Sequence, residues 1–191
     1  MSINLAVFAS GSGTTLQVII DSIENKKLDA KISVVVSNKP DAYALQRAQK
    51  AGIPTYVISS KGKENIDNEL FECLKNYEID LIVLAGYLRM IGDKLLANYR
   101  IINTHPSLLP KFGGKGMHGM NVHQAVIDSK EKISGVTVHF VNNEYDRGNI
   151  IRQVEVEVLP DDDAETLSAR VQVAEKIQLV QVLQDFSEGK I

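Results

Sequence analysis

Three groups of residues carry side chains and spacings that could do chemistry. The first is Ser10-Gly11-Ser12-Gly13-Thr14-Thr15, between an apolar run at 3–9 and a helical pattern at 17–23. Two glycines let the backbone approach a ligand, and the unpaired amides that open a helix attract an anion. The hydroxyls of Thr14 and Thr15 add donors. A dinucleotide fingerprint would need glycine where Leu16 stands and an acid where Ser37-Asn38-Lys39 stand. A triphosphate loop would end in Gly-Lys-Ser/Thr, and this one lacks the lysine. The pattern points to a phosphate monoester. Taken alone, it also suits a tight strand-to-helix turn.

The second group is Asn103-Thr104-His105-Pro106-Ser107-Leu108-Leu109-Pro110. Asn103 and His105 are two apart at the end of an expected strand, so their side chains share a side. An amide beside an imidazole can stabilise a developing oxyanion. Pro106 and Pro110 stiffen the chain just after. The pair by itself also fits a histidine satisfied at a strand end. The third group is Tyr145-Asp146-Arg147-Gly148-Asn149. Near His105, its carboxylate would favour the imidazolium and take a proton from an amine, directly or through water. Asp-x-Gly is equally an ordinary turn. His118 and His123 are five apart and do not share a helix face for a metal. His139 follows Thr137 at strand spacing, which fits either the reactive side of that strand or a buried structural role. No zinc ligand set is present in the sequence, and no metal is expected.

The elements that must position these groups alternate along the chain. Strands are expected at 3–9, 32–36, 56–58, 81–85, 100–104, 135–141 and 150–158. Helices are expected at 17–23, at 42–51 with Gly52 closing it, at 66–77 and at about 164–187. The early strands are apolar throughout, as in a parallel sheet covered on both sides. The last alternates through Ile151, Val154, Val156 and Val158, which suggests a half-exposed, antiparallel extension. The Asp161-Asp162-Asp163 run reads as a helix cap rather than a metal site. The expectation is an α/β, Rossmann-like fold. It has a mostly parallel twisted sheet of about seven strands, helices on both faces and a long C-terminal helix. Ligands of such sheets gather beyond the carboxyl ends of the strands. One domain is expected over 1–191, with a phosphate-binding half at about 1–100 and a catalytic half at about 101–191. The longest loop, Pro106 to His118, holds Gly113, Gly114 and Gly116.

Composition narrows the classes. With 44% hydrophobic and 24% charged residues, the chain suits a folded globular protein rather than a disordered one. A net charge of −3 supplies no global field for nucleic acid or an anionic membrane. Cys73 is the only cysteine, so no intramolecular disulfide can form, and it reads as small core filler beside Leu70 and Leu74. No leader pattern and no run of membrane-span length are seen, so a cytoplasmic protein is expected.

Together these motifs resemble the phosphoribosylglycinamide formyltransferases, folate-dependent enzymes of purine synthesis. The similarity covers nearly the whole chain. It includes the Ser10–Thr15 loop, Val36-Ser37-Asn38-Lys39, Leu84-Ala85-Gly86-Tyr87-Leu88-Arg89, the histidine motif from Ile102 to Pro110, Gly135-Val136-Thr137-Val138-His139, Asp146-x-Gly148 and Arg170-Val171-Gln172 with Glu175. The resemblance implies formyl transfer from 10-formyltetrahydrofolate to glycinamide ribonucleotide, without a metal. It implies that Asn103, His105 and Asp146 are catalytic. Asn103 and protonated His105 would stabilise the oxyanion, and Asp146 would support His105 and help remove the ammonium proton. Gly11, Ser12, Gly13, Thr14 and Thr15 would hold the substrate phosphate, and Gln172 and Glu175, three apart on one helix face, would face its ribose. Leu88, Arg89, Met90 and Ile91 would line the pterin pocket, joined by Asn103. The loop with Val141, Asn142 and Tyr145 would close it.

The chain departs from the family at Gln178-Leu179-Val180, where an aromatic residue and proline are frequent, and at Asn149, where proline often follows the Asp-x-Gly turn. The partners implied are small molecules, with no nucleic acid and no membrane, and a monomer or homodimer is expected. The nearest rivals are a formyltetrahydrofolate hydrolase-like enzyme and methionyl-tRNA formyltransferase. Each carries an extra domain, which is not expected here given a first strand at Ile3 and a final helix close to Ile191. A non-catalytic phosphate-binding module is the rival from another class.

Overall fold

A computed structural model describes residues 2–59 and 65–191 of the chain. Its strands, β1 (Ile3–Phe8), β2 (Ala30–Ser37), β3 (Thr55–Val57), β4 (Leu81–Leu84), β5 (Ile101–His105), β6 (Ile133–Phe140) and β7 (Ile150–Glu157), run in the order β3-β2-β1-β4-β5-β6-β7. The chain forms two compact units, one up to Ile102 with Leu183–Ile191 and the other Asn103–Val182.

In the first unit β1 (Ile3–Phe8) lies parallel to β2 (Ala30–Ser37) and to β4 (Leu81–Leu84), and β2 lies parallel to β3 (Thr55–Val57). Leu5 to Phe8, Val34 to Val36 and Ile82 to Val83 have no exposed surface. Strands covered on both faces cannot alternate, which is why these segments read as continuous apolar runs. The helices cover them with one stripe each. α1 (Thr14–Glu24) buries Leu16, Ile19 and Ile20, α2 (Tyr43–Lys50) buries Ala44, Leu45 and Ala48, and α3 (Ile66–Leu74) buries Leu70 and Leu74. Gly52, at φ +70°, follows α2 in the left-handed conformation expected of it. Cys73 departs from its expected place as core filler and is only half-buried. Its thiol is pushed up to about 11 by burial and by the neighbouring Glu69, which keeps it protonated.

α4 (Asp93–Asn98), where only Leu95 is buried, has no counterpart among the helices expected from sequence. It is set up from outside itself. Asp67 of α3 accepts the Lys94 amide at 2.7 Å and the Leu95 amide at 3.4 Å.

The second unit holds the end of β5 (Ile101–His105), α5 (Met120–Asp128), β6 (Ile133–Phe140), β7 (Ile150–Glu157) and most of α6 (Ala164–Ser187). β6 and β7 pair antiparallel, with Val136 opposite Val154 and Thr137 opposite Gln153. Val126, Val136, Val156, Leu167 and Val171 form its core, with Phe112 packed against them. α5 is a second helix missing from the sequence reading. It buries Val122, Val126 and, between them, His123. The acid run before α6 acts as a cap. Asp163 Oδ1 accepts the Thr166 amide at 2.8 Å while Thr166 Oγ1 accepts the Asp163 amide at 3.0 Å. Asp162 pairs with Arg170.

Candidate active site

The glycine loop of the first unit is fixed from three directions. Gly13 sits at φ +69°, and a Cβ there would lie 2.7 Å from both Cα and Cβ of Ala44. Only glycine meets both demands. The Ala44 amide donates to Gly11 O at 3.1 Å, and Arg47 Nε donates to Ser12 O at 2.8 Å. The Ser10 hydroxyl, nearly fully buried, donates to Asn38 Oδ1 at 2.6 Å and accepts the Leu88 amide at 2.9 Å. Gly13 then opens α1 as an N-cap residue that makes no side-chain cap hydrogen bond. The first amides of α1 are donors for an anion. Past this anchor, Leu88 and Met90 are exposed, whereas Ile91 is buried and offers only its backbone.

In the second unit β5 sends Asn103 and His105 to one side, into contact with residues of β6 and of the turn that follows it. Thr104 points the other way, and its hydroxyl donates to Glu175 Oε1 at 2.9 Å. Gln172 is engaged on its own helix, with Nε2 donating to Ser168 Oγ at 3.2 Å. The Asp146 carboxylate lies between two imidazoles. Oδ2 is 3.5 Å from His105 Nδ1 and Oδ1 is 3.6 Å from His139 Nε2. Gly114 N donates to Oδ2 at 2.8 Å. The turn that delivers Asp146 is tight. Asp146 itself is at φ +55°, and a Cβ on Gly148 would fall 1.6 Å from Phe140 O. The Asp-x-Gly spacing is therefore a steric need of the turn as well as a source of a carboxylate.

The hydrogen bonds fix the tautomers. His105 Nε2 is 2.8 Å from Phe112 O, and a carbonyl only accepts, so Nε2 carries the proton. Nδ1 is then the basic position, and it faces the Asp146 carboxylate. His139 Nδ1 is 2.8 Å from Phe140 O, so its proton lies there and Nε2 accepts from Asn103 Nδ2 at 3.2 Å. That contact turns the amide group of Asn103 toward His139, and among the described residues its second N–H has no partner.

Burial holds His105 below the ordinary imidazole range, although Asp146 and the Phe112 carbonyl both push the other way. The net shift favours the neutral imidazole over the imidazolium. Burial alone would raise the Asp146 carboxyl, but the two imidazoles beside it and the Gly114 amide outweigh it and keep it low. Asp146 is the carboxylate, His105 Nδ1 is a vacant base and Asn103 holds a spare donor. That is the equipment for moving a proton and receiving charge on an oxygen.

The chain matches the formyl transferase pattern over residues 3–183. It belongs to the formyl transferase family. Among formyl transferases it is 40% identical to the phosphoribosylglycinamide formyltransferase of Haemophilus influenzae, covering 98% of this chain and 88% of that one. With the enzyme of that name from Escherichia coli it shares 35% over 98% of this chain and 89% of that one. It spans less of the chloroplastic relative from Arabidopsis thaliana, 66%, at 39% identity. The solved structure of the Coxiella burnetii phosphoribosylglycinamide formyltransferase superposes with a TM-score of 0.91 at 39% identity, covering 99% of this chain and 89% of that one.

Against the formyl transferase site expected from sequence, the structure brings Asn103, His105 and Asp146 together in the second unit and adds His139. The signal for His139 was its strand spacing from Thr137, which could not be told from that of a buried structural histidine. Asn142 accepts the Glu144 amide at 3.0 Å and shapes the start of the turn, while Tyr145 is exposed. Among the described residues no group of three or more side chains is placed to hold a metal, and no helix is long and apolar enough to cross a membrane.

Proposed function

We propose that this protein transfers the formyl group of 10-formyltetrahydrofolate to the amine of glycinamide ribonucleotide, with Asn103, His105 and Asp146 as the reacting groups. The observation that carries the reading is the Asp146 carboxylate set between His105 Nδ1 and the His139–Asn103 pair. The bound folate supplies the one-carbon unit. Asp146, directly or through one water, accepts the proton released as the amine nitrogen bonds the formyl carbon. His105 Nδ1 shares that proton and becomes the imidazolium. The free N–H of Asn103 meets the negative charge that builds on the formyl oxygen. His105 then returns the proton to the folate nitrogen as its bond to carbon breaks.

Other parts of the chain hold the reactants. The amides from Gly11 to Thr15 bind the phosphate, with Gln172 and Glu175 on the ribose. Segment 88–91 and residues Val141, Asn142 and Tyr145 hold the folate. A cytoplasmic location and a monomeric or homodimeric state complete the proposal.

Formyl transfer to glycinamide ribonucleotide, measured beside hydrolysis and beside transfer to initiator tRNA, separates this reading from its rivals. His105→Ala is expected to lower turnover about 10²-fold, the scale of losing a partner to a developing oxyanion. Normal turnover in a folded His105→Ala protein would remove His105 from the mechanism.

A further inference from the structure

Gln153 lies on β7 opposite Thr137, outside the reacting groups, and is exposed at the surface. Its Nε2 donates to Leu109 O at 3.0 Å and to Thr137 Oγ1 at 2.8 Å. The fully buried Thr137 hydroxyl donates in turn to Ser107 O at 2.7 Å and accepts the Leu109 amide at 3.0 Å. With Gln153 in place, that hydroxyl has its one donor and two acceptor sites filled. Ser107 Oγ donates to Lys111 O at 2.7 Å, and the Lys111 amide closes a turn on Leu108 O at 3.1 Å.

The same stretch ends on the contacts that define the reacting pair. Phe112 O receives His105 Nε2–H at 2.8 Å, and Gly114 N donates to Asp146 at 2.8 Å. Segment 107–114 has no regular secondary structure to hold it. Its backbone is set from β6 and β7 by one hydroxyl and one carboxamide. An imidazole with one ring nitrogen committed to a carbonyl has its other nitrogen assigned as the base. The position of the Phe112 carbonyl therefore decides which nitrogen of His105 faces Asp146.

We propose that Gln153 is a positioning residue for His105, acting through Thr137 and the Ser107–Phe112 turn to fix the Phe112 carbonyl and with it the imidazole tautomer. Its effect on turnover rests on the function proposed above; its effect on the tautomer does not. Ring ¹⁵N NMR of the full-length protein, with His105 assigned by its loss in His105→Gln, reads the tautomer directly. Wild type is expected to show Nε2–H. Gln153→Leu, which keeps the bulk and loses both donors, is expected to show mixed tautomers. It is also expected to lower kcat by roughly 5- to 30-fold, with both KM values within about twofold. Thr137→Ser keeps the hydroxyl and is expected to match wild type in both readouts. If Gln153→Leu does not fold, Gln153→Glu removes the same donors at a site open to water and is read in the same way. A wild-type tautomer and kcat in the Gln153 variant, with only a lowered Tm, would overturn the proposal. If wild type shows no formyl transfer at all, the functional reading falls, and the tautomer alone still decides the role of Gln153.

Discussion

In the proposed mechanism Asp146 takes the central part, because it faces two imidazoles and receives a backbone amide. It keeps its charge despite burial, and it raises His105 against the pull of burial. Removing that charge has a definite sign. Asp146→Asn is expected to move the His105 titration further below the usual imidazole range, measured by ¹H NMR of the ring protons. On the proposed mechanism it is also expected to lower kcat by about 10²-fold or more, since the amine proton would lose its acceptor. A titration that moved upward would show that Asp146 does not act on His105 through charge. At this scale the sequence was informative about residue types and not about their meeting. Asn103 and His105 share a side because strand alternation is local. Asn103 and His139 meet across 36 residues. No periodicity encodes that contact, because the packing of β5 and β6 makes it.

At the level of elements, the turn between β6 and β7 is the most tightly specified. Phe140 N donates to Asn149 O at 2.9 Å, and the Gly148 backbone passes against Phe140 O. Gly148→Ala has no room for its methyl and is expected to destabilise the protein by about 3 kcal/mol, at the upper end of overpacking costs. It should cut turnover as well by displacing Asp146. Chemical denaturation and the transfer assay check the two effects. The long strands were legible because burial on both faces leaves an unbroken apolar run. α4 and α5 were not. α4 is too short to show a helical period and depends on Asp67 from another helix. α5 buries a histidine between its two valines, which masks the apolar stripe that would announce it. The loop before α5 showed its glycines in the sequence, but not the hydrogen bonds from Thr137 and Gln153 that hold its first half.

For the molecule as a whole, acidity is the condition that should probe stability most directly. His105 and His123 are both held low, in each case chiefly by burial. As pH falls below about 6.5 the unfolded chain takes up their protons first, so stability drops on acidification from there toward the folded values. Asp146 works on another window. Its low carboxyl stabilises the fold above the ordinary value of 3.8 and loses that contribution only as pH falls through its folded value. Urea midpoints are therefore expected to fall between pH 7.5 and 5.5. His123→Leu, which also removes a buried Nδ1 without a hydrogen-bond partner, is expected to flatten that fall. An unchanged slope would mean that His123 does not titrate with folding. The alternation of strands and helices made the architecture legible along the chain, and the antiparallel β7 showed itself by its alternating apolar residues.

The Ser10 hydroxyl carries an engineering consequence. It joins the end of β1 to Asn38 and to the backbone at Leu88, so the two segments proposed to hold the phosphate and the folate share one mount. A swap of segment 86–91 from a homologue would transplant its geometry only along with matching residues at positions 10 and 38. Chimeras designed without them should bind poorly however well their surface side chains are chosen.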